Sequence, residues 1–222
     1  MGEMITFPAN GATAGGYLAI PASGGGAGIV VELADFERVS AGSEAREGYV
    51  PTSLFTLGHR PEILDAFTRL FGAVMGRGDV DPGLKQMAAQ VASTAHGGRC
   101  CQAHAATAAH HAGVPQEKVA APFEFETSAH FTEAERAALR LARDAAIVPN
   151  AVTAAHFEAR RAHVRTPQIV ELKAAVALFG FLNRWNDSMG TELEDAPLAF
   201  ASRHLHDAVW EAGKPPAERA LA

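Results

Sequence analysis

Residues 96–113 read HGGRCCQAHAATAAHHAG, and the architecture follows from this stretch. Gly97-Gly98 can end one helix, Arg99 can open another and Gly113 can stop that one in turn. Two helices therefore meet at a glycine pair, with two thiols immediately beyond it. The same punctuation recurs outward in both directions. Upstream, Asp81-Pro82 starts a helix to about Ala95, and Pro61 opens one whose residues Ile63, Phe67, Leu70, Phe71 and Val74 form one apolar stripe. Downstream, Pro115 to Ala120 is a short helix, and Thr132 with Glu135 forms a capping box for a helix ending before Pro149. Thr153 can cap a helix to about Val164, Thr166-Pro167 begins another, and Pro197 to about Ala212 can form the last. The Thr166 helix is apolar on every side over Ala174–Leu182, which predicts central burial and association through apolar helices. From about Glu32 onward the apolar period is ~3.6 residues, so the expected fold is all-α.

The first 31 residues differ. They hold eight of the 21 glycines and one charged residue, Glu3. Met4-Ile5-Thr6-Phe7 and Tyr17-Leu18-Ala19-Ile20, with Asn10-Gly11 between them, read as the strands of a short N-terminal β-hairpin. The expected organisation is a hairpin extension over 1–31 and a helical domain over 32–222. A two-stranded hairpin is marginal alone in water, so a non-catalytic extension held by the helical body or a neighbouring subunit is expected.

Composition excludes several functions. The chain of 222 residues is 48% hydrophobic and 20% charged, with a net charge of −6 and no basic residue before Arg38. That pattern argues against nucleic-acid binding and against a secretory leader. No apolar run approaches the ~20 residues of a membrane span. The two cysteines, Cys100 and Cys101, are adjacent, and Cα atoms ~3.8 Å apart fall below the ~4.4–6.8 Å disulfide range. The absence of a structural disulfide fits a reducing cytoplasm. No cofactor motif is present.

Both thiols lie in the first turn of the Arg99 helix, where unpaired N–H groups and the helix dipole favour thiolate. At ~100° per residue, with Cys100 at zero, Cys101 lies at ~100°, His104 at ~40° and His111 at ~20°, whereas His110 points elsewhere at ~280°. A histidine beside a thiol can accept its proton, the arrangement of nucleophilic and redox catalysis. The same spacing also suits a tight helix crossing with His104 hydrogen-bonded in the core. A metal held by Cys100, His104 and His111 would have to span about two turns between the imidazoles, and no metal is expected. Gln86, Gln90 and Ser93 share one face of the preceding helix, turned either to the thiols or to solvent. His204-Leu205-His206 reads as a solvated pair, and Phe181 and Trp185 read as core.

Gly97 through Gly113 resembles the active-site helix of the alkylhydroperoxidase D-like and carboxymuconolactone decarboxylase superfamily, whose pattern is Cys-x-x-Cys, a histidine three or four residues on, and a glycine at the helix end. Phe179-Gly180-Phe181-Leu182-Asn183-Arg184-Trp185-Asn186-Asp187, Pro61-Glu62-Ile63-Leu64 and Phe123-Glu124-Phe125 also look like segments of its members. The resemblance covers roughly residues 45–195. Registered on Gly113, Cys101 takes the second cysteine's place and His104 the nearer histidine position. Gly98 stands where the first cysteine would be, Cys100 between the two cysteines, Ala105 at the farther histidine position and Gln86 at the proton-relay glutamate. Counting four residues back from His104 instead makes Cys100 the motif cysteine. The resemblance implies an all-helical bundle, a homo-trimer or homo-hexamer, and a pocket around Cys101. Separately, residues 5–11 and 16–23 look like the opening hairpin of dienelactone hydrolases, without the nucleophile elbow of that family.

Two readings of activity follow. In a thiol-dependent peroxidase, an antioxidant oxidoreductase, Cys101 attacks a hydroperoxide and His104 takes or returns the proton. Gln86 orients the oxygen, and an external thiol reductant or Cys100 resolves the sulfenic acid. In the alternative, a non-redox enzyme uses His104 as base on a small organic acid or lactone. A ligand-binding protein without peroxidase activity is the third. The partner in each case is a small molecule, with no nucleic acid and no membrane.

Overall fold

A computed structural model describes residues 2–9, 12–19, 29–122, 124–161, 165–205 and 210–212. Its contacts divide the chain into two compact units, one formed by residues 1–70 with 215–222 and one by residues 71–214.

In the first unit, β1 (Gly2–Ala9) and β2 (Ala12–Ala19) pair antiparallel, with Gly2 opposite Ala19 and Ala9 opposite Ala12. These are the expected hairpin strands, while Asn10-Gly11 lies outside the described residues. A third strand, β3 (Ile29–Glu32), adds to the free edge of β2 with Ala19 opposite Ile29. Its β-branched run Ile29-Val30-Val31 has the side chains a strand favours, and a hairpin reading that stops at two strands misses it. Helices α1 (Leu33–Glu47) and α2 (Thr52–Gly58) follow, then α3 (Pro61–Met75), whose last residues belong to the second unit.

The second unit is all-α. It contains α4 (Pro82–His96), α5 (Arg99–His111), α6 (Gln116–Ala120), α7 (Glu133–Ala146), α8 (Ala154–Arg161), α9 (Thr166–Met189) and α10 (Asp195–His204). The starts follow the expected caps: the Asp81 carboxylate accepts from the Leu84 N–H at 3.1 Å, and the Thr132/Glu135 capping box is closed. The expected end of the Thr153 helix near Val164 lies outside the described residues, as do Phe123 and residues 206–209; the last helix ends at His204 and not near Ala212, since Leu205 caps it and residues 210–212 are not helical. Helix α4 is the centre, packed against α5, α7 and α9, with α10 laid on α5. Ala88 and Ala92 of α4, Ala103, Ala106 and Ala109 of α5, and Ala138 and Ala142 of α7 are all buried in one core. Such small contact residues let helix axes approach to the lower end of the ~8–10 Å range.

One buried ion pair ties α4 to α9. The fully buried Lys85 ammonium donates to the Val74 carbonyl (3.1 Å), the Gly76 carbonyl (2.8 Å) and Glu171 Oε2 (2.8 Å). All three of its donors are used. Glu171 in turn accepts from the backbone N–H of Asp79 (2.6 Å) and Val80 (3.2 Å), so the turn before α4 is pinned to α9.

Helix α9 departs from the expected burial on every side. Leu172, Ala175, Val176, Leu178, Phe179 and Leu182 are buried, but within Ala174–Leu182 both Ala177 and Phe181 are exposed, Phe181 at 41%. Phe181 stacks on Trp185 with ring centroids 5.8 Å apart, a surface pair where sequence pointed to core. Among the described residues the bundle buries one side of α9, while Val170, Phe181 and Met189 on its outer side are exposed. Among the described residues no helix is long and apolar enough to cross a membrane.

Candidate functional site

The two glycines between α4 and α5 serve different needs. Gly97 caps α4 in the left-handed region at φ +84°, with its N–H and that of Gly98 returned to the last turn of α4; a side chain there is strained. Gly98 has an ordinary extended backbone, yet a Cβ built on it would lie 1.9 Å from Asn183 Oδ1. The buried carboxamide of Asn183 therefore fills the space beside Gly98. Its Nδ2 donates to Ser93 Oγ at 3.2 Å, and its Oδ1 is buried without a hydrogen-bond partner.

Immediately after this glycine come the thiols. Cys100 is 6% exposed and Cys101 1% exposed. One helical turn on, His104 Nδ1 lies 3.8 Å from Cys100 Sγ, and His104 Nε2 lies 2.5 Å from Glu194 Oε2. An ionised carboxylate only accepts, so a neutral imidazole at this position carries its proton on Nε2 and turns its Nδ1 lone pair to the Cys100 thiol. Glu194 is the residue before α10, and no spacing rule reaches it from His104, 90 residues earlier. Its one signal in the sequence is acidic character ahead of a helix start, which reads equally as a complement to the helix dipole.

Cys101 faces the interior instead. Asn186, also buried, donates through Nδ2 to its sulfur at 3.4 Å. Burial pushes the Cys101 thiol far up from its ordinary value; Cys100 beside it and the carboxylates of Asp187 and Glu194 add to this, and only the Asn186 hydrogen bond opposes it. This direction corrects the expectation of an acidic Cys101. The pull of a helix N-terminus on a thiolate is outweighed where no solvent reaches the sulfur.

The other expected site residues separate. Gln90 and Ser93 are fully buried, so the shared face of α4 is not a solvent stripe; Gln90 donates to the Val119 carbonyl at 2.8 Å. Gln86 lies seven residues before Ser93, ~10.5 Å of helix rise, and none of its described hydrogen bonds reaches a thiol; its Oε1 is buried and unpartnered. His111 is exposed at the far end of α5, and His204 packs on Phe200 at 4.6 Å between ring centroids, while His206 lies outside the described residues. Among the described residues no group of three or more His, Cys, Asp or Glu side chains is arranged to hold a metal ion. Trp210, largely buried, donates to the Arg99 carbonyl at 3.1 Å and so lies over the start of α5.

The family model of the carboxymuconolactone decarboxylase family matches residues 61–144, which include both thiols and His104. A structure of the debrominase Bmp8, a cysteine-to-alanine variant in complex with 2,3,4-tribromopyrrole, is 34% identical, covering 77% of this chain and 91% of that chain, with a TM-score of 0.72. The chain belongs to the carboxymuconolactone decarboxylase family. The alkylhydroperoxidase AhpD core of an uncharacterized peroxidase-related protein from Ralstonia eutropha JMP134 is 24% identical, covering 73% of this chain and 86% of that chain, with a TM-score of 0.65. A peroxidase-related protein from Silicibacter sp. TM1040 is 19% identical over 72% of this chain and 85% of that chain, with a TM-score of 0.64. These two likenesses establish the AhpD-like helical fold. No curated protein matches the chain. The resemblance of residues 5–23 to dienelactone hydrolases gains no support from these matches, and the family match starts well beyond it.

Proposed function

We propose that the protein is a thiol-dependent reductase of the peroxidase type, in which Cys100 is the attacking sulfur, His104 its proton acceptor and Glu194 the group that holds the imidazole in place. The observation that carries this reading is the Cys100–His104–Glu194 chain of contacts, at 3.8 and 2.5 Å, at the start of α5. His104 Nδ1 takes the thiol proton, and the thiolate attacks the terminal oxygen of a hydroperoxide. The O–O bond breaks, the leaving alkoxide takes the proton back from His104, and the sulfur becomes a sulfenic acid. Cys101, buried and protonated, is a neighbour of this sulfur and not the nucleophile. Thiol chemistry is favoured over acid–base chemistry on an organic acid because the lone pair of His104 faces a sulfur.

One observation favours a second substrate for the same step. The 34% identical relative is a debrominase whose cysteine-to-alanine variant holds a tribrominated pyrrole. A thiolate attacking an aryl bromine would take the halogen, leave the electron pair on the ring carbon to be protonated, and become a sulfenyl bromide; the sulfur is oxidised by two electrons, as with peroxide. Incubating the reduced protein with a hydroperoxide and dimedone tests the first substrate. The expected result is one adduct on Cys100 that is absent in Cys100→Ser and forms at least tenfold more slowly in Glu194→Gln. Bromide release from a brominated pyrrole with no dimedone adduct under peroxide would select the second.

A further inference from the structure

Resting on this reading, we infer that the oxidised Cys100 is released only by a low-molecular-weight thiol from outside the protein, through a mixed disulfide that Cys101 does not resolve. The chain contains two cysteines, both on α5, so Cys101 is the one internal thiol that could close a disulfide on Cys100. The helix forbids it. Adjacent Cα atoms are ~3.8 Å apart against the ~4.4–6.8 Å that disulfides use, and side chains ~100° apart on a helix diverge. Closing the bond would require the peptide between them to twist, breaking the first turn that the Gln102 N–H closes onto the Gly98 carbonyl at 3.1 Å. The Cys101 sulfur is also held by a hydrogen bond from the Asn186 side chain of α9. Nor can position 98 supply a thiol one turn before Cys101, because Asn183 occupies the space of any side chain there. The reductant must also be small, since a cysteine residue only 6% exposed admits a short thiol more readily than the surface of another protein.

The chemistry balances with that thiol as the electron source. The first thiol condenses with the sulfenic acid, forming an S–S bond and releasing water. A second attacks the outer sulfur of the mixed disulfide, and Cys100 leaves as thiolate. Two thiols become one disulfide, and the two electrons end on the peroxide.

The test uses the full chain, reduced and then incubated with glutathione disulfide, read by intact mass and peptide mapping. It does not depend on the peroxide step. The expected result is one glutathione on Cys100, stable after the excess reagent is removed and equally long-lived in the Cys101→Ser variant. Loss of glutathione with formation of a Cys100–Cys101 link overturns the inference, as does a covalent dimer, an unmodified Cys100, or an adduct that survives longer in Cys101→Ser than in the natural chain. Dimedone trapping under peroxide reports separately on the proposed function: trapping without a glutathione adduct sinks this inference alone, and an adduct without trapping sinks that reading of the substrate.

Discussion

Cys100 and Cys101 differ by one position and have opposite surroundings. Cys100 lies beside an imidazole whose other nitrogen is bound by a carboxylate, and Cys101 lies beside an amide in the core. Alkylation by iodoacetamide across pH 5 to 9 separates them. In the Cys101→Ser variant, Cys100 is expected to react with a rate that rises with pH and falls severalfold in Glu194→Gln, because a freely turning imidazole no longer presents Nδ1. In Cys100→Ser, the remaining Cys101 is expected to react at least ~100-fold more slowly than a free thiol at pH 8, since its raised pKa leaves almost no thiolate there. Equal rates for the two variants would remove the distinction. Gly98 makes a second residue-scale prediction. Gly98→Ala drives a methyl into Asn183 Oδ1 and should cost about 1–3 kcal/mol in urea unfolding, the usual range for overpacking. Asn183→Ala in the same chain should return part of that loss, and additive losses would show that the two positions do not compete for space.

At the scale of elements, the attachment of α4 to α9 depends on Lys85 and Glu171. Hydrogen bonding from Lys85 and the backbone N–H groups of Asp79 and Val80 hold the Glu171 carboxyl below the usual carboxylate range, against the opposing effect of burial. A carboxylate whose folded pKa is depressed stabilises the fold above its unfolded value and loses that stabilisation as pH falls through the folded value. The protein is therefore expected to lose stability below about pH 4.5, the ordinary glutamate value, with a shallower loss in Glu171→Gln; equal slopes would show that other carboxylates carry the acid sensitivity. Lys85→Met, which leaves Glu171 without its buried partner, should cost about 3–5 kcal/mol at pH 7 in the same measurement.

On the scale of the molecule, the outer side of α9 and the N-terminal segment lead to two proposals. Val170, Phe181 and Met189 are exposed along α9, and we propose that a second copy covers them in a trimer or hexamer. Light scattering is expected to give a particle several times the chain mass at micromolar concentration, reduced by Phe181→Glu; a 23 kDa particle would count against assembly. We also propose that residues 1–31 are dispensable to the helical body. Their deletion should leave helical circular dichroism and dimedone labelling of Cys100 intact, while loss of the helical signal would place the boundary elsewhere.

The fold was legible in the sequence where local chemistry decides it. Asp81, the Thr132/Glu135 pair, Gly97 and Gly113 act within one turn of their own position, so α4, α5 and α7 could be placed from residues alone. The helical spacing that puts His104 on the face of Cys100 is equally local, and that half of the candidate site could be read directly. What tertiary structure alone decided is that both thiols are buried, Cys101 the more deeply, which group orients the histidine and why position 98 is glycine. Burial of Cys101 depends on α9, the carboxylate on His104 comes from the loop before α10, and the side chain excluded at Gly98 is excluded by Asn183. Each is a contact between residues some 85 to 90 positions apart, set by how helices pack, and no periodicity along the chain encodes such a distance. The register set by Gly113 favoured Cys101 for the same reason: motif spacing counts residues, while the reactivity of a thiol depends on the solvent and charges that the folded chain places around its sulfur.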